Sequence, residues 1–185
     1  MRLLVDLGWG ISLMGKMRKI TLGIIMLVGV SPVSKAETAK EIKANQYTKC
    51  ASSFVTTGAI KAAFNQQSDS ESQNLMYGGG VMALYAGYLT SPEYALNSYK
   101  EYQQKIKQDS LKYISNGSRN EIYKFTVSYL VPKNTKCDPV FREFLSIAAK
   151  KDVDWDAFKN SEQAKKLMEG VVQSTKEMIV GKGSN

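Results

Sequence analysis

Apolar residues recur every three to four positions from Glu37 onwards, and this period predicts amphipathic helices along most of the chain. The predicted segments are 37–66, 70–89, 92–115, a short helix ending near Leu130, a helix opening at Asp138 and a last helix over 155–179. No long segment alternates between apolar and polar residues as a half-buried strand would. The pattern therefore predicts an all-α fold, a single compact helical domain of about five to six helices over 37–180, with 181–185 as a flexible tail.

Helix boundaries are marked by capping residues and by prolines. Three capping boxes, each a Ser or Thr with a Glu three residues later, predict helix starts. They are Ser68 with Glu71, Thr90 with Glu93, and Ser118 with Glu121. Pro132 is expected to end the short helix, because a proline disfavours helical geometry in the residue before it. Asp138 and Pro139 are expected to open the next helix, as its N-cap and first helical residue.

The segment 70–89 is apolar on nearly all sides, so we expect it to be central, with Leu75 to Leu89 as the most buried part of the protein. It contains the run Gly78-Gly79-Gly80. Each glycine costs roughly 1 kcal/mol relative to Ala inside a helix, so a gain in packing or in function must offset the run. Close packing of a neighbouring helix is the favoured interpretation, and a groove for a partner is the alternative.

Residues 17–36 have the three parts of a secretory signal peptide. Arg18 and Lys19 give the positive start, residues 20–30 form the apolar core, and small residues flank Lys35 at the end. We therefore expect cleavage after Ala36 and a periplasmic or secreted location. The alternative is that the segment stays uncleaved and anchors the domain to the inner membrane. Residues 1–16 are expected to be a mis-assigned or extended N-terminus.

The charge of the chain indicates no nucleic-acid partner. The net charge is +8, but residues 37–185 hold 20 Lys and Arg against 16 Asp and Glu, a net charge of +4. The lysines are spread along the sequence rather than concentrated in one basic run. A mild positive charge favours solubility and weak attraction to anionic lipids or cell-wall polymers.

Two cysteines, Cys50 and Cys137, both follow the signal segment. An even number of cysteines in an exported chain predicts a disulfide, because the compartment is oxidising. With two cysteines only one pairing exists. We expect it to tie the first helix to the connection before Pro139.

The chain contains no histidine, which removes the usual general base and most catalytic zinc sites. It also lacks the Ser-Lys and Cys-x-x-Cys patterns of other catalytic classes, so carboxylates are the remaining candidates for catalysis. Glu71, in Glu71-Ser72, resembles the Glu-Ser pair of cell-wall lytic transglycosylases, but their second motif is missing downstream. A capping role explains Glu71 equally well.

Asp152, Asp154 and Asp156 stand at alternate positions, as the first ligands of an EF-hand calcium loop do. The loop then requires Gly and Glu, where this chain has Ala157 and Gln163. We instead expect Asp154 to cap the last helix and Asp156 to lie in its first turn. The sequence thus predicts no metal, no cofactor and no catalytic residue.

These observations favour an exported helical protein without enzymatic activity. It would bind another protein as an inhibitor, an immunity factor or an envelope accessory. Nucleic acid is not an expected partner, and the membrane is one only if the signal segment stays uncleaved. The alternative is a peptidoglycan hydrolase that uses Glu71 or the carboxylates of 152–156, and such an enzyme needs those carboxylates to converge in a cleft.

Overall fold

The structure is a computed structural model that describes residues 37–65, 70–150 and 152–180. Its elements are α1 (Ala39–Asn65), α2 (Ser70–Leu89), α3 (Pro92–Ser110), α4 (Arg119–Phe125), a π-turn (Thr126–Leu130), α5 (Val131–Ala148), α6 (Val153–Lys159) and α7 (Glu162–Val180). The described residues form no strand and belong to one compact unit, so the predicted all-α single domain is confirmed. Residues 1–16, the signal segment 17–36 and the tail 181–185 lie outside the described residues.

Helix α1 is the most deeply buried element of the described chain. Every residue from Cys50 to Gly58 is buried, and α1 contacts α2, α3, α5 and α7. Helix α2 was expected to be central, but it leaves Tyr77 76% exposed and several apolar residues half-buried. The prediction for Leu75 to Leu89 was therefore wrong. Hydropathy misses α1 because its buried face includes Ser and Thr side chains.

Hydrogen bonds satisfy part of this buried polar face. Gln103 Nε2 of α3 donates to Thr56 Oγ1 of α1 at 3.0 Å and to Tyr99 Oη at 2.9 Å. The Tyr99 hydroxyl lies 2.8 Å from Thr175 Oγ1 of α7. Thr175 in turn donates to the carbonyl oxygen of Val171. One buried chain of hydrogen bonds thus joins α1, α3 and α7. Burial raises the pKa of the Tyr99 hydroxyl to about 12.

Glycine permits the close approach of α1 and α2. A Cβ atom on Gly79 would lie 2.7 Å from Val55 Cγ2 and 2.9 Å from the carbonyl oxygen of Ala51. Contacts this short require a shift, and the α1 backbone cannot shift cheaply. At Gly80 an added Cβ would meet only the end of the Met168 side chain, at 2.8 Å. Gly79 therefore allows α1 to pack closely against α2, as the favoured interpretation of the glycine run predicts.

Helix α4, the π-turn and α5 follow one another with helical backbone geometry throughout. The predicted stop at Pro132 and the predicted start at Asp138 were wrong, because both prolines lie within α5. The Val131 amide donates to the carbonyl oxygen of Thr126, five residues back, and this wider turn accommodates the missing N–H of Pro132. Pro139 lies on the exposed face of α5, where water can bind the carbonyl group that loses its partner.

The single helix predicted over 155–179 is two helices, α6 and α7. Between them, Ser161 Oγ accepts the backbone amide three residues later at 3.1 Å and caps α7. Asp152, rather than the predicted Asp154, caps α6. Its Oδ1 atom accepts two backbone amides of the first turn at 3.0 and 3.1 Å. The sequence signal for the break was a serine followed by an acidic residue.

The remaining caps follow the sequence with small shifts. Ser91, and not the predicted Thr90, caps α3, since its hydroxyl accepts a backbone amide of the first turn at 3.1 Å. Helix α3 also ends at Ser110, five residues before its expected end. Ser118 caps α4 as predicted, accepting the Glu121 amide at 3.4 Å. The Glu121 carboxylate accepts amides from the preceding turn.

The membrane-anchor alternative concerns residues 17–36, which lie outside the described residues. Within 37–65, 70–150 and 152–180, no helix combines the length and the apolar character needed to cross a membrane.

Candidate functional site

The carboxylates singled out from the sequence lie far apart. Glu71, in the first turn of α2, forms an ion pair with Lys61 of α1. Its expected capping partner, Ser68, lies outside the described residues. Asp152 accepts a hydrogen bond from Tyr88 Oη at 3.1 Å, near the other end of α2. From position 71 to position 88 a helix rises by about 25 Å. The paired carboxylates of glycosidases lie only about 5–10 Å apart.

The three aspartates of the calcium-like segment have separate structural roles. Asp152 caps α6, Asp154 lies in its first turn, and Asp156 pairs with Lys159 at 2.6 Å. Among the residues that the structure describes, no group of three or more His, Cys, Asp or Glu side chains is placed to hold a metal ion.

Cys50 of α1 and Cys137 of α5 lie at disulfide distance, with Sγ atoms 2.06 Å apart and Cα atoms 5.5 Å apart. Both side chains are buried. Cys137 was expected in a connection before Pro139, but it lies inside α5, so the bridge joins two packed helices. Each cysteine directly follows a lysine, Lys49 or Lys136. The same bridge therefore holds these two lysines close to each other.

A cleft of about 630 Å³ opens beside this disulfide, between α1, α3, the π-turn and α5. Among the described residues, its lining contains four lysines, Lys49, Lys105, Lys133 and Lys136, and no Asp or Glu. We call it the lysine cleft. Hydroxyl groups of serine and tyrosine and a few apolar side chains complete its walls. None of the four lysines has an ion-pair partner within the described part of the chain.

Lys133 is the lysine of the cleft most shielded from water. Its Nζ atom lies 4.5 Å from the centre of the Tyr129 ring. That ring is fixed by its hydroxyl, which donates to Asp109 Oδ2 at 2.5 Å. Burial lowers the pKa of the Lys133 ammonium, and the positive charges of the other three lysines lower it further, while Asp109 opposes them. The four lysine ammonium groups are therefore close enough to interact electrostatically.

Sequence reasoning missed this cleft. The lysines are dispersed along the chain, and the fold gathers four of them from α1, α3 and α5. One signal was present, because both cysteines are preceded by lysine, in Lys49-Cys50 and Lys136-Cys137. A predicted disulfide between the two helices would have brought those two lysines together.

A second depression, the α2–α5 groove, is an open space of about 950 Å³. The exposed Tyr77 and the half-buried Phe141 line it together with aliphatic side chains, and the buried rings of Phe54, Phe144 and Trp155 lie beneath them. Phe54 and Phe141 pack edge to face with ring centres 5.6 Å apart, which keeps this surface rigid. Leu145 of α5, 49% exposed, also lines the groove.

The two ends of the α2–α5 groove differ in polarity. The N-terminal halves of α2 and α5 contribute Glu71, Asn74, Asn134 and Asp138 to one end. Trp155 and Lys159 of α6 lie at the other end. The alternative interpretation of the glycine run was a groove for a partner. One of the three glycines, Gly78, does line this groove, beside Phe141.

Comparisons with protein-family models, with curated proteins and with solved structures found no match to this chain.

Proposed function

We propose that this chain is an exported protein without enzymatic activity that binds an amphipathic helix of a partner protein in the α2–α5 groove. The observation that supports this most is the groove itself: an open depression between two helices with the exposed Tyr77 and Leu145 on its walls and buried aromatic rings beneath them. Aromatic side chains dominate the energetics of protein interfaces, and a groove between helices is a common receptor for a helical ligand.

The dimensions and charges of the groove define the partner. Residues 70–84 of α2 line it over about 20 Å, the length of a helix of about 14 residues. Such a helix would place apolar residues at a spacing of three to four on the walls of the groove. A Lys or Arg near one end would meet Asp138, whereas Glu71 already pairs with Lys61. The hydrolase alternative gains no support, because Glu71 and Asp152 lie near opposite ends of α2.

Photo-crosslinking in the native host tests the groove directly. A photoreactive amino acid replaces Tyr77, which is 76% exposed, or Val172 of α7, which is 46% exposed and lies outside the groove. We expect a discrete adduct with one polypeptide from position 77 and none from position 172. Mass spectrometry of that adduct should find a helical segment with an apolar stripe and a basic residue.

Two charge substitutions complete the test. Leu145→Glu should abolish the adduct from position 77, whereas Val172→Glu, at a similarly exposed position, should leave it intact. Circular dichroism checks that both variants are folded. An adduct that survives Leu145→Glu, or that forms equally from position 172, would contradict the proposal.

The export part of the proposal rests on residues 17–36, whose sequence has the order of a signal peptide. N-terminal sequencing of protein from the periplasmic or secreted fraction should begin at Glu37. A product that keeps residues 20–30 would instead support the membrane-anchor alternative.

A further inference from the structure

We propose that the lysine cleft is a binding site for a small ligand that carries two or more phosphate groups. This site is separate from the α2–α5 groove, so the inference does not depend on the proposed function. The cleft brings four ammonium groups to one concave surface whose lining has no carboxylate.

Charge is the first reason. Within the described residues these four neighbouring positive charges have no ion-pair partners and repel one another, and the nearby Asp109 carboxylate offsets part of this repulsion at Lys133. Some lysines outside the cleft, by contrast, do form ion pairs: Lys43 pairs with Glu143 at 2.6 Å and Lys112 with Asp109 at 2.7 Å. A ligand with several negative charges would supply the missing partners.

The kind of cation is the second reason. All four cations are lysines, and no arginine lines the cleft. Lysine binds phosphate as a compact point charge, whereas carboxylate recognition more often uses the paired donors of arginine. Hydroxyl groups of Tyr102 and Ser128 in the same wall can donate to phosphate oxygens.

Size is the third reason. A volume of about 630 Å³ lies within the range of pockets that enclose small organic ligands. Ile106, Pro132 and Val140 give part of the wall an apolar character, which suits a ligand with a non-polar portion beside its phosphates. A long nucleic acid would need a basic surface beyond this one concave site.

The disulfide is the fourth reason, because it fixes the geometry in advance. Lys49 and Lys136 each adjoin a bridged cysteine, so their backbones are fixed relative to each other. Lys133 lies one helical turn before Cys137, with its ammonium over the Tyr129 ring. A site whose charged groups are held in place loses less entropy when the ligand binds.

Calorimetric titration of the exported, oxidised protein with sodium tripolyphosphate at low salt tests the inference. Lys105→Gln removes a lysine of the cleft, and Lys107→Gln removes an exposed lysine of the same helix that does not line it. Both variants change the net charge equally. We expect Lys105→Gln to raise the Kd about threefold to fivefold and the double variant Lys105→Gln/Lys136→Gln by about tenfold or more. Lys107→Gln should leave the Kd unchanged.

A second arm uses vesicles of cardiolipin, whose headgroup carries two phosphates, with phosphatidylcholine vesicles as the neutral control. Binding of tripolyphosphate assigns a soluble phosphate ligand. Binding only to cardiolipin, weakened by Lys105→Gln and not by Lys107→Gln, assigns a lipid headgroup, and both results support the cleft. The inference is overturned if neither probe binds saturably, or if the two single variants weaken binding equally.

Discussion

Replacement of Gly79 by alanine tests whether contact with the α1 backbone sets the spacing between α1 and α2. The added Cβ atom would lie 2.7 Å from Val55 Cγ2 and 2.9 Å from the carbonyl oxygen of Ala51. Gly80 is the matched control, because its added Cβ would lie 2.8 Å from the terminal methyl group of Met168. The two substitutions are chemically identical and adjacent in the same helix.

The expected magnitudes follow from opposing effects. Alanine stabilises a helix interior by about 1 kcal/mol relative to glycine. Overpacking against an atom that cannot move costs about 1–3 kcal/mol, and the fixed carbonyl oxygen at Gly79 favours the upper end of this range. Gly79→Ala should therefore lower the free energy of unfolding by about 2 kcal/mol. At Gly80 the methionine can change rotamer for about 0.5 kcal/mol, so Gly80→Ala should raise stability by a similar amount.

Thermal and urea unfolding, followed by far-UV circular dichroism, measure the difference. For a domain of this size we expect Gly79→Ala to lower the Tm by about 4–8 °C and Gly80→Ala to raise it by about 1–2 °C. An unchanged urea m-value ensures that the comparison concerns stability alone. If Gly79→Ala is as stable as the unsubstituted protein, or if both variants lose stability equally, the reasoning from close helix packing is refuted.

Three further predictions concern the disulfide and two buried tyrosines. Exported protein should contain no free thiol by thiol titration, and two free thiols would refute the Cys50–Cys137 pairing. Because the bridge spans a sequence separation of 87, its reduction should lower the free energy of unfolding by about 4–5 kcal/mol, measured by unfolding with and without reductant. Because the pKa of Tyr99 in the folded protein, about 12, exceeds its ordinary value of 10.0, its contribution to stability is present below pH 10 and is lost as pH rises towards 12. Tyr99→Phe should remove a decline of about 2–3 kcal/mol in the free energy of unfolding, measured by urea denaturation over this pH range, and an equally steep decline in the variant would contradict it. The Tyr47 hydroxyl is buried without a hydrogen-bond partner among the described residues, so Tyr47→Phe should leave the free energy of unfolding unchanged or raise it by up to about 1 kcal/mol, and a clear loss of stability would contradict this.

The helical fold was predictable from the sequence because residue spacing records which side of a helix is buried. Helix α2 begins and ends within the predicted range of 70–89, and Ser118 caps α4 as expected. Which helix is the most deeply buried was not predictable in the same way. Hydropathy assigns the core to α2, whereas α1 is buried by way of Ser and Thr side chains whose partners come from distant segments. Such partners become visible only when the chain is folded.

Proline was the main source of error in the helix boundaries. A proline disfavours helix in isolation, but Pro132 follows a π-turn that supplies the extra space, and Pro139 faces water. The candidate sites show the same limit. Four lysines distant in sequence line one cleft, while the candidate carboxylates Glu71 and Asp152 lie near opposite ends of α2. The sequence shows which lysines and carboxylates are present, but the tertiary fold determines which of them become neighbours.

The hydrogen bonds that join Thr56, Gln103, Tyr99 and Thr175 have a consequence for how the helices align. Two helices in contact through apolar residues alone can slide by one turn, about 5.4 Å, and still bury similar area. Here such a slip would leave an amide and several hydroxyl groups without partners in the interior, at about 1–3 kcal/mol for each group. The polar residues of α1 therefore select one axial alignment against its near neighbours, and replacement of the whole set by apolar residues should yield a stable protein with more than one packing arrangement.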